Sequence, residues 1–170
     1  MLDKQRHKMK KSVLLIERDQ DLQEFLCKLF QFDGWWVATA CDKLNVLQVL
    51  KTSAIELVVT DMNSLGEEGM DLVRSIREQS DASILVLSAQ RDKSNINAVM
   101  EQGVNAYLTI PFDPSQLRAR SYTLVRQRYQ VGRSSVRSGR DANNNVGTWT
   151  SPILKNLALR IRALMSEGRP

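Results

Sequence analysis

With 170 residues, 42% of them hydrophobic and 25% charged, the chain has the makeup of one globular domain with room for a tail. No apolar run approaches the roughly 18 residues of a membrane span, and the short apolar run after the basic opening is too brief for a signal peptide, so a cytoplasmic protein is expected. The net charge of +5 is unevenly spread: residues 1–11 carry +4, residues 12–117 carry −8 and residues 118–170 carry +9. An acidic body between two basic ends reads either as solvated tails or as a non-specific contact with a polyanion such as nucleic acid. Cys27 and Cys41 have neither disulfide-framework nor metal-ligand spacing.

In chain order, residues 1–11 form a basic leader without an apolar period, and the single histidine, His7, reads there as a tail residue. Ser12 to Glu17 is a first buried strand. Leu22, Phe25, Leu26, Leu29 and Phe30 recur at helical spacing, which predicts a helix over 20–32 with Asp19 as its cap and Gly34 beyond its end. Trp35 to Ala40 is a second strand, and Asp42 opens a helix with Leu44, Leu47 and Leu50 as its apolar stripe. Glu56 to Asp61 is an apolar run that stops in a carboxylate, the pattern of a buried parallel strand. Asp61 then stands at the sheet edge where open α/β folds bind ligands.

Gly66 to Glu68 lead into a third helix facing inward through Met70, Val73 and Ile76. Ile84 to Leu87 is a fourth strand ending in Ser88-Ala89, followed by a helix over 92–102 that stops at Gly103. Ala106 to Ile110 is a fifth strand, with Pro111-Phe112 and a helix from Asp113 to about residue 128 after it. Strand and helix alternate five times. Short connections and right-handed crossovers turn that rhythm into a five-stranded parallel sheet with helices on both faces.

Four stretches now carry a resemblance. VLLIERDQDLQEFL, ELVVTDMNSLGEEGMDLVRSIR, ILVLSAQRD and GVNAYLTIPFDPSQL resemble, in order and spacing, the receiver domain of two-component response regulators, closest to receivers attached to winged-helix regulators. The resemblance implies a flavodoxin-like (CheY-like) (βα)5 fold over residues 12–130. It aligns Asp61 with the phosphate-accepting aspartate, Ser88 and Tyr107 with the switch hydroxyl and switch aromatic, and Asn63 with the residue whose backbone carbonyl helps hold Mg²⁺. Glu17 and Asp61 would supply carboxylates to that ion.

Two departures fall on the chemistry. The family usually has two adjacent acids where this chain has Glu17-Arg18, and a lysine where it has Ile110 before Pro111. The usual loop proline after the acceptor is also missing, with Ser64-Leu65 there. Phosphoryl transfer to a carboxylate depends on cationic stabilisation by metal and lysine, so both changes impair it. Arg18 either pairs inward with Asp61, taking the electrostatic place of the metal, or swings out to solvent and leaves the acid pocket open. Asp19 either partly replaces the lost ligand or caps the first helix.

The expectation is an atypical or pseudo-receiver: not an enzyme but a protein-interaction module in signalling or transcriptional control. Its partner surface would be the face of the fourth helix, fifth strand and fifth helix. The alternative is a Mg²⁺-dependent phosphoacceptor served by a histidine kinase at Asp61. Residues 131–150 read as a flexible basic linker. Residues 151–168 read as an amphipathic helix, with Ile153, Leu154, Leu157, Ile161, Leu164 and Met165 on one face, that folds back, binds a partner or second copy, or lies on an acidic membrane surface.

Overall fold

A computed structural model describes residues 11–61, 69–89 and 91–131. The leader 1–10, Asn63, the lead-in to the third helix, nearly all of the expected linker and the expected helix at 151–168 lie outside the described residues.

The alternation appears as five strands, β1 (Ser12–Ile16), β2 (Trp36–Ala40), β3 (Leu57–Asp61), β4 (Ser83–Ser88) and β5 (Ala106–Thr109). The described helices are α1 (Gln20–Phe32), α2 (Lys43–Thr52), α3 (Gly69–Gln79), α4 (Lys93–Glu101) and α5 (Pro114–Val131). Every strand pair is parallel, in the order β2-β1-β3-β4-β5. The expected (βα)5 fold is therefore present.

β1 and β4 are buried along their whole length, and β3 along all but its last residue, which is why they read as continuous apolar runs rather than alternating ones. Pleating splits those runs between two cores. Val13, Leu15, Leu57, Val59, Leu85 and Leu87 pack with α1 and α5, while Leu14, Ile16, Val58, Ile84 and Val86 pack with α2 and α3.

Capping fixes where the helices begin. The side chains of Asp19, Asp42 and Asp92 accept from the backbone N–H of Leu22, Asn45 and Ser94, satisfying donors that the first helical turn leaves open. Gly34 and Gly103, at φ +77° and +99°, make the left-handed turns after α1 and α4.

The expected stripe of α2 is rotated. Leu44 is 80% exposed and Leu47 is half-buried, whereas Val46 and Leu50 are buried with Val49 against them. Leucines at 44, 47 and 50 share an arc, but the valine pair at 46 and 49 sits nearer the sheet. Only the sheet's position decides between those two arcs. α4 also departs from the pattern: it buries no residue completely, and Ile96 and Val99 are half-covered.

Side chains brace the edge of the sheet where the strands begin. Arg77 on α3 donates to the carbonyls of Gly103 (Nε, 2.8 Å) and Ala82 and to the side chain of Asn105. Arg118 on α5 grips Asp33, just past α1, through Nε and one terminal nitrogen. The Asp33 side chain is 3% exposed and that of Arg118 23%, so the pair is partly buried.

Candidate functional site

Asp61 stands last in β3, which lies between β1 and β4, and is half-buried. Thr60, one residue earlier, is in register with Ile16 of β1, so Glu17 follows at the neighbouring strand end. Glu17 is 2% exposed, and its Oε1 accepts from the backbone N–H of Asp19 at 2.8 Å. On the other side, Asp61 is in register with Leu87, and the fully buried Ser88 closes β4. Glu17, Asp61 and Ser88 are thus brought to the carboxyl ends of three adjacent strands.

β5 completes the row. Ser88 is in register with Thr109, and the Ser88 carbonyl accepts from the Ile110 N–H at 2.9 Å. Ile110 precedes a cis bond to Pro111 and is 7% exposed, inside the core that also holds Leu108 and Leu117. Tyr107 is half-buried against the opposite core, whose members include Val104 and Ile84. Ser88 and Tyr107 sit on neighbouring strands, β4 and β5.

The two alternatives for the acidic turn are decided by geometry. Arg18 is exposed, and its Nε donates outward to the Cys41 carbonyl at 3.4 Å. The inward pair with Asp61 is not formed: ion pairs among the described residues join Lys28 to Glu24, Arg74 to Asp71 and Arg118 to Asp33. The reason is the next strand, whose end offers a carbonyl within reach while the guanidinium stays hydrated. Asp19 caps α1 through Oδ1, 3.0 Å from the Leu22 N–H. That cap engages one of its oxygens in holding the helix.

These positions bear on Mg²⁺, the ion that the resemblance implies. A hard divalent cation takes several oxygen ligands, with carboxylates foremost. Among the described residues no group of three His, Cys, Asp or Glu side chains is placed to hold a metal. Glu17 and Asp61 stand at neighbouring strand ends, and Glu17 Oε1 is engaged by the Asp19 N–H. Asn63 lies outside the described residues. The described side chains thus offer fewer carboxylates than the ligand set of a hard divalent cation takes.

The sequence pattern did not point to Thr60. It is 1% exposed beside Asp61, and its hydroxyl has no hydrogen-bond partner among the described residues. A threonine in an apolar strand looks like any β-branched residue, so its orphaned oxygen shows only in the packed structure.

Away from the carboxylates, a groove of about 480 Å³ runs between β5 and α5. Ala106, Leu108 and Leu124 give it apolar surface, and Gln116, Arg120 and Gln127 give it polar surface. Apolar surface bordered by hydrogen-bonding groups is the makeup of a protein contact.

Comparison with known proteins bears on the same residues. The family model described as "Response regulator receiver domain" matches residues 13–122. The chain is 28% identical over 159 residues to the regulatory protein VirG of Rhizobium radiobacter, covering 93% of this chain and 56% of that protein. It is 28% identical over 120 residues to the aerobic respiration control protein ArcA of Escherichia coli K12, covering 71% of this chain and 50% of that protein. The chain thus spans about half the length of the curated relatives it matches. Among solved structures, a response regulator from Thermotoga maritima superposes with a TM-score of 0.64 at 27% identity, over 69% of this chain and 99% of that one. The chemotaxis protein CheY4 of Vibrio cholerae, at 21% identity and a TM-score of 0.63 over 68% of this chain and 98% of that one, shares the fold.

Proposed function

Since this chain belongs to the response regulator receiver family, we propose that it works as a protein-interaction module in regulatory signalling, with phosphorylation at Asp61 impaired. The observation that carries this reading is Ile110. It stands where the resemblance places the lysine, and it is buried among Leu108 and Leu117. An aliphatic side chain brings no cation to the phosphoryl oxygens on which charge gathers in the transition state. Losing one such electrostatic contact typically slows a reaction by about 10²–10³. Arg18, exposed and turned to the Cys41 carbonyl, offers no metal ligand in place of the usual second acid.

The partner surface we assign to the module is the face of α4, β5 and α5. The groove between β5 and α5 and the incompletely buried Ile96, Val99 and Met100 of α4 support it. Tyr107 lies on the same strand as the groove, so a partner there would sense its position. The module turns over no substrate of its own. Its partner is a protein of the same signalling chain, a histidine kinase or a regulator that kinase serves.

A second reading keeps Asp61 as a Mg²⁺-dependent phosphoacceptor. What favours it is the retained row of Glu17, Asp61 and Ser88 at adjacent strand ends. Intact-mass measurement after incubation with acetyl phosphate and Mg²⁺ separates the two. The first reading expects no adduct on the natural chain and an adduct in the Arg18→Asp, Ile110→Lys double variant. An adduct on the natural chain that Asp61→Asn abolishes would overturn it in favour of the second.

A further inference from the structure

The strand order puts β2 at the rim of the sheet, with β1 on one side and no described strand on the other. Trp36 donates its N–H inward to the Lys11 carbonyl at 2.8 Å, and the register with β1 continues through Ala38 and Ala40. Backbone groups alternate in direction along a strand, so those of Val37 and Thr39 face away from β1. Rim strands are normally blunted by a charge, a proline or a bulge. β2 reads Trp-Val-Ala-Thr-Ala, without charge or proline, and pairs with β1 through all five residues without a bulge. The opposite rim differs, because β5 has four residues and leads directly into Ile110-Pro111. β2 also leaves a large apolar ring uncovered: Trp36 is 46% exposed, whereas Ala40 at the other end of the strand is 6% exposed.

We propose that the β2 rim is a self-association edge, to which a second copy of this chain adds its own β2, antiparallel, about a two-fold axis at Ala38. The strand itself selects that occupant. With Ala38 opposite Ala38, Val37 of each copy stands opposite Thr39 of the other. These are the residues whose backbone groups face outward, so both pairs exchange N–H to carbonyl bonds. Pleating puts Trp36, Ala38 and Ala40 on one face, that of the core holding Leu14 and Ile16. The same register sets Trp36 beside Ala40 twice, a large ring against a small side chain, and covers both indoles. A slip of one residue sets Val37 against Ala38, whose backbone groups already face β1, and loses the bonds. Two short strands and two indoles make a contact below the roughly 1,200 Å² of a standard interface, so the dimer is reversible and weaker than about 1 µM.

The test is sedimentation equilibrium of the full chain from about 10 µM to about 1 mM, with cysteine cross-linking under copper-phenanthroline oxidation to read the register. Cys41→Ser removes the exposed native thiol from every cross-linking variant. The expected result is a monomer–dimer equilibrium that Thr39→Pro shifts about tenfold toward monomer, because proline removes an outward N–H and leaves the β1 ladder intact. Ala38→Cys forms a covalent dimer, since facing residues of a narrow antiparallel pair have Cα atoms about 4.5 Å apart. Thr39→Cys does not, because the same residue of the second copy lies two places out of line, beyond the about 7 Å that a disulfide spans. Circular dichroism verifies that each variant is folded, and if Thr39→Pro is not, the two cysteine variants decide alone. A monomer at every concentration, a dimer that folded Thr39→Pro leaves unchanged, or equal cross-linking at 38 and 39 would overturn the proposed edge.

Discussion

The two ends of the sheet are built differently. Where the strands begin, long side chains cross between elements: Arg77 ties α3 to the turns before β4 and β5, Arg118 ties α5 to the end of α1, and Glu56 ties β1 to α5. Where the strands end, the acidic turn is held by local contacts, Glu17 to the Asp19 N–H and Asp19 to the Leu22 N–H, and by one 3.4 Å bond from Arg18 to the Cys41 carbonyl. The contrast shows that the long-range bracing of the fold lies at the pole away from Asp61. Arg18 and Ile110 lie at one end of the sheet, while this bracing lies at the other.

The largest break in the comparison is expected at Arg118. Arg118→Ala strands the buried Asp33 carboxylate and is expected to cost about 3 kcal/mol in urea unfolding. Adding Asp33→Asn should recover part of that loss, because the charge left behind is then removed. A double variant no more stable than Arg118→Ala would mean that the guanidinium acts by packing alone.

Core placement comes next. Val46→Ala is expected to lower stability by about 2 kcal/mol through lost burial and a residual cavity. Leu44→Ala, at an exposed site on the same helix, should stay within about 0.5 kcal/mol. Equal losses at the two sites would put α2 back on its leucine stripe.

A smaller effect is expected at Asp113, which precedes Pro114 at the start of α5 and accepts from the Ser115 N–H at 2.7 Å. Asp113→Ala should cost about 1 kcal/mol at neutral pH. Hydrogen bonds from the Ser115 side chain and backbone hold the Asp113 carboxyl below its ordinary range. Its contribution is therefore full above the unfolded carboxyl pKa of about 3.9 and is lost as pH falls through the lower folded value. Thermal unfolding of the two proteins should converge in acid. Divergence there would place the effect in the helix backbone and not in the charge.

The smallest change separates the two ends most directly. Arg18→Ala removes an exposed side chain whose described bond is a long one to a carbonyl, so stability should change by less than about 0.5 kcal/mol. A loss above about 1 kcal/mol would show that the acidic turn is braced as firmly as the opposite pole.

Much of this was legible in the chain itself. Continuous apolar runs in β1, β3 and β4 mark strands buried on both faces, and aspartates before α1, α2 and α4 mark helix starts, because both signals act over a few residues. The site was legible in part: Glu17, Asp61, Ser88, Tyr107 and Ile110 all fall at or near strand ends, and a strand's end is set by its own short pattern. The outward turn of Arg18, the valine face of α2 and the orphaned hydroxyl of Thr60 were not, since each depends on what another element places alongside.

By itself, the sequence determined the order of the five strands and helices along the chain and the carboxylate at the end of β3. Tertiary structure alone decided which partners their side chains meet. Arg118 and Asp33 are 85 residues apart, and Tyr129 and Glu56 are 73 apart. Such pairs leave no local periodicity, because their geometry is made by the packing of the sheet between its helices. The same packing carries Ser12 of β1 and Tyr129 of α5 to one carboxylate, Glu56.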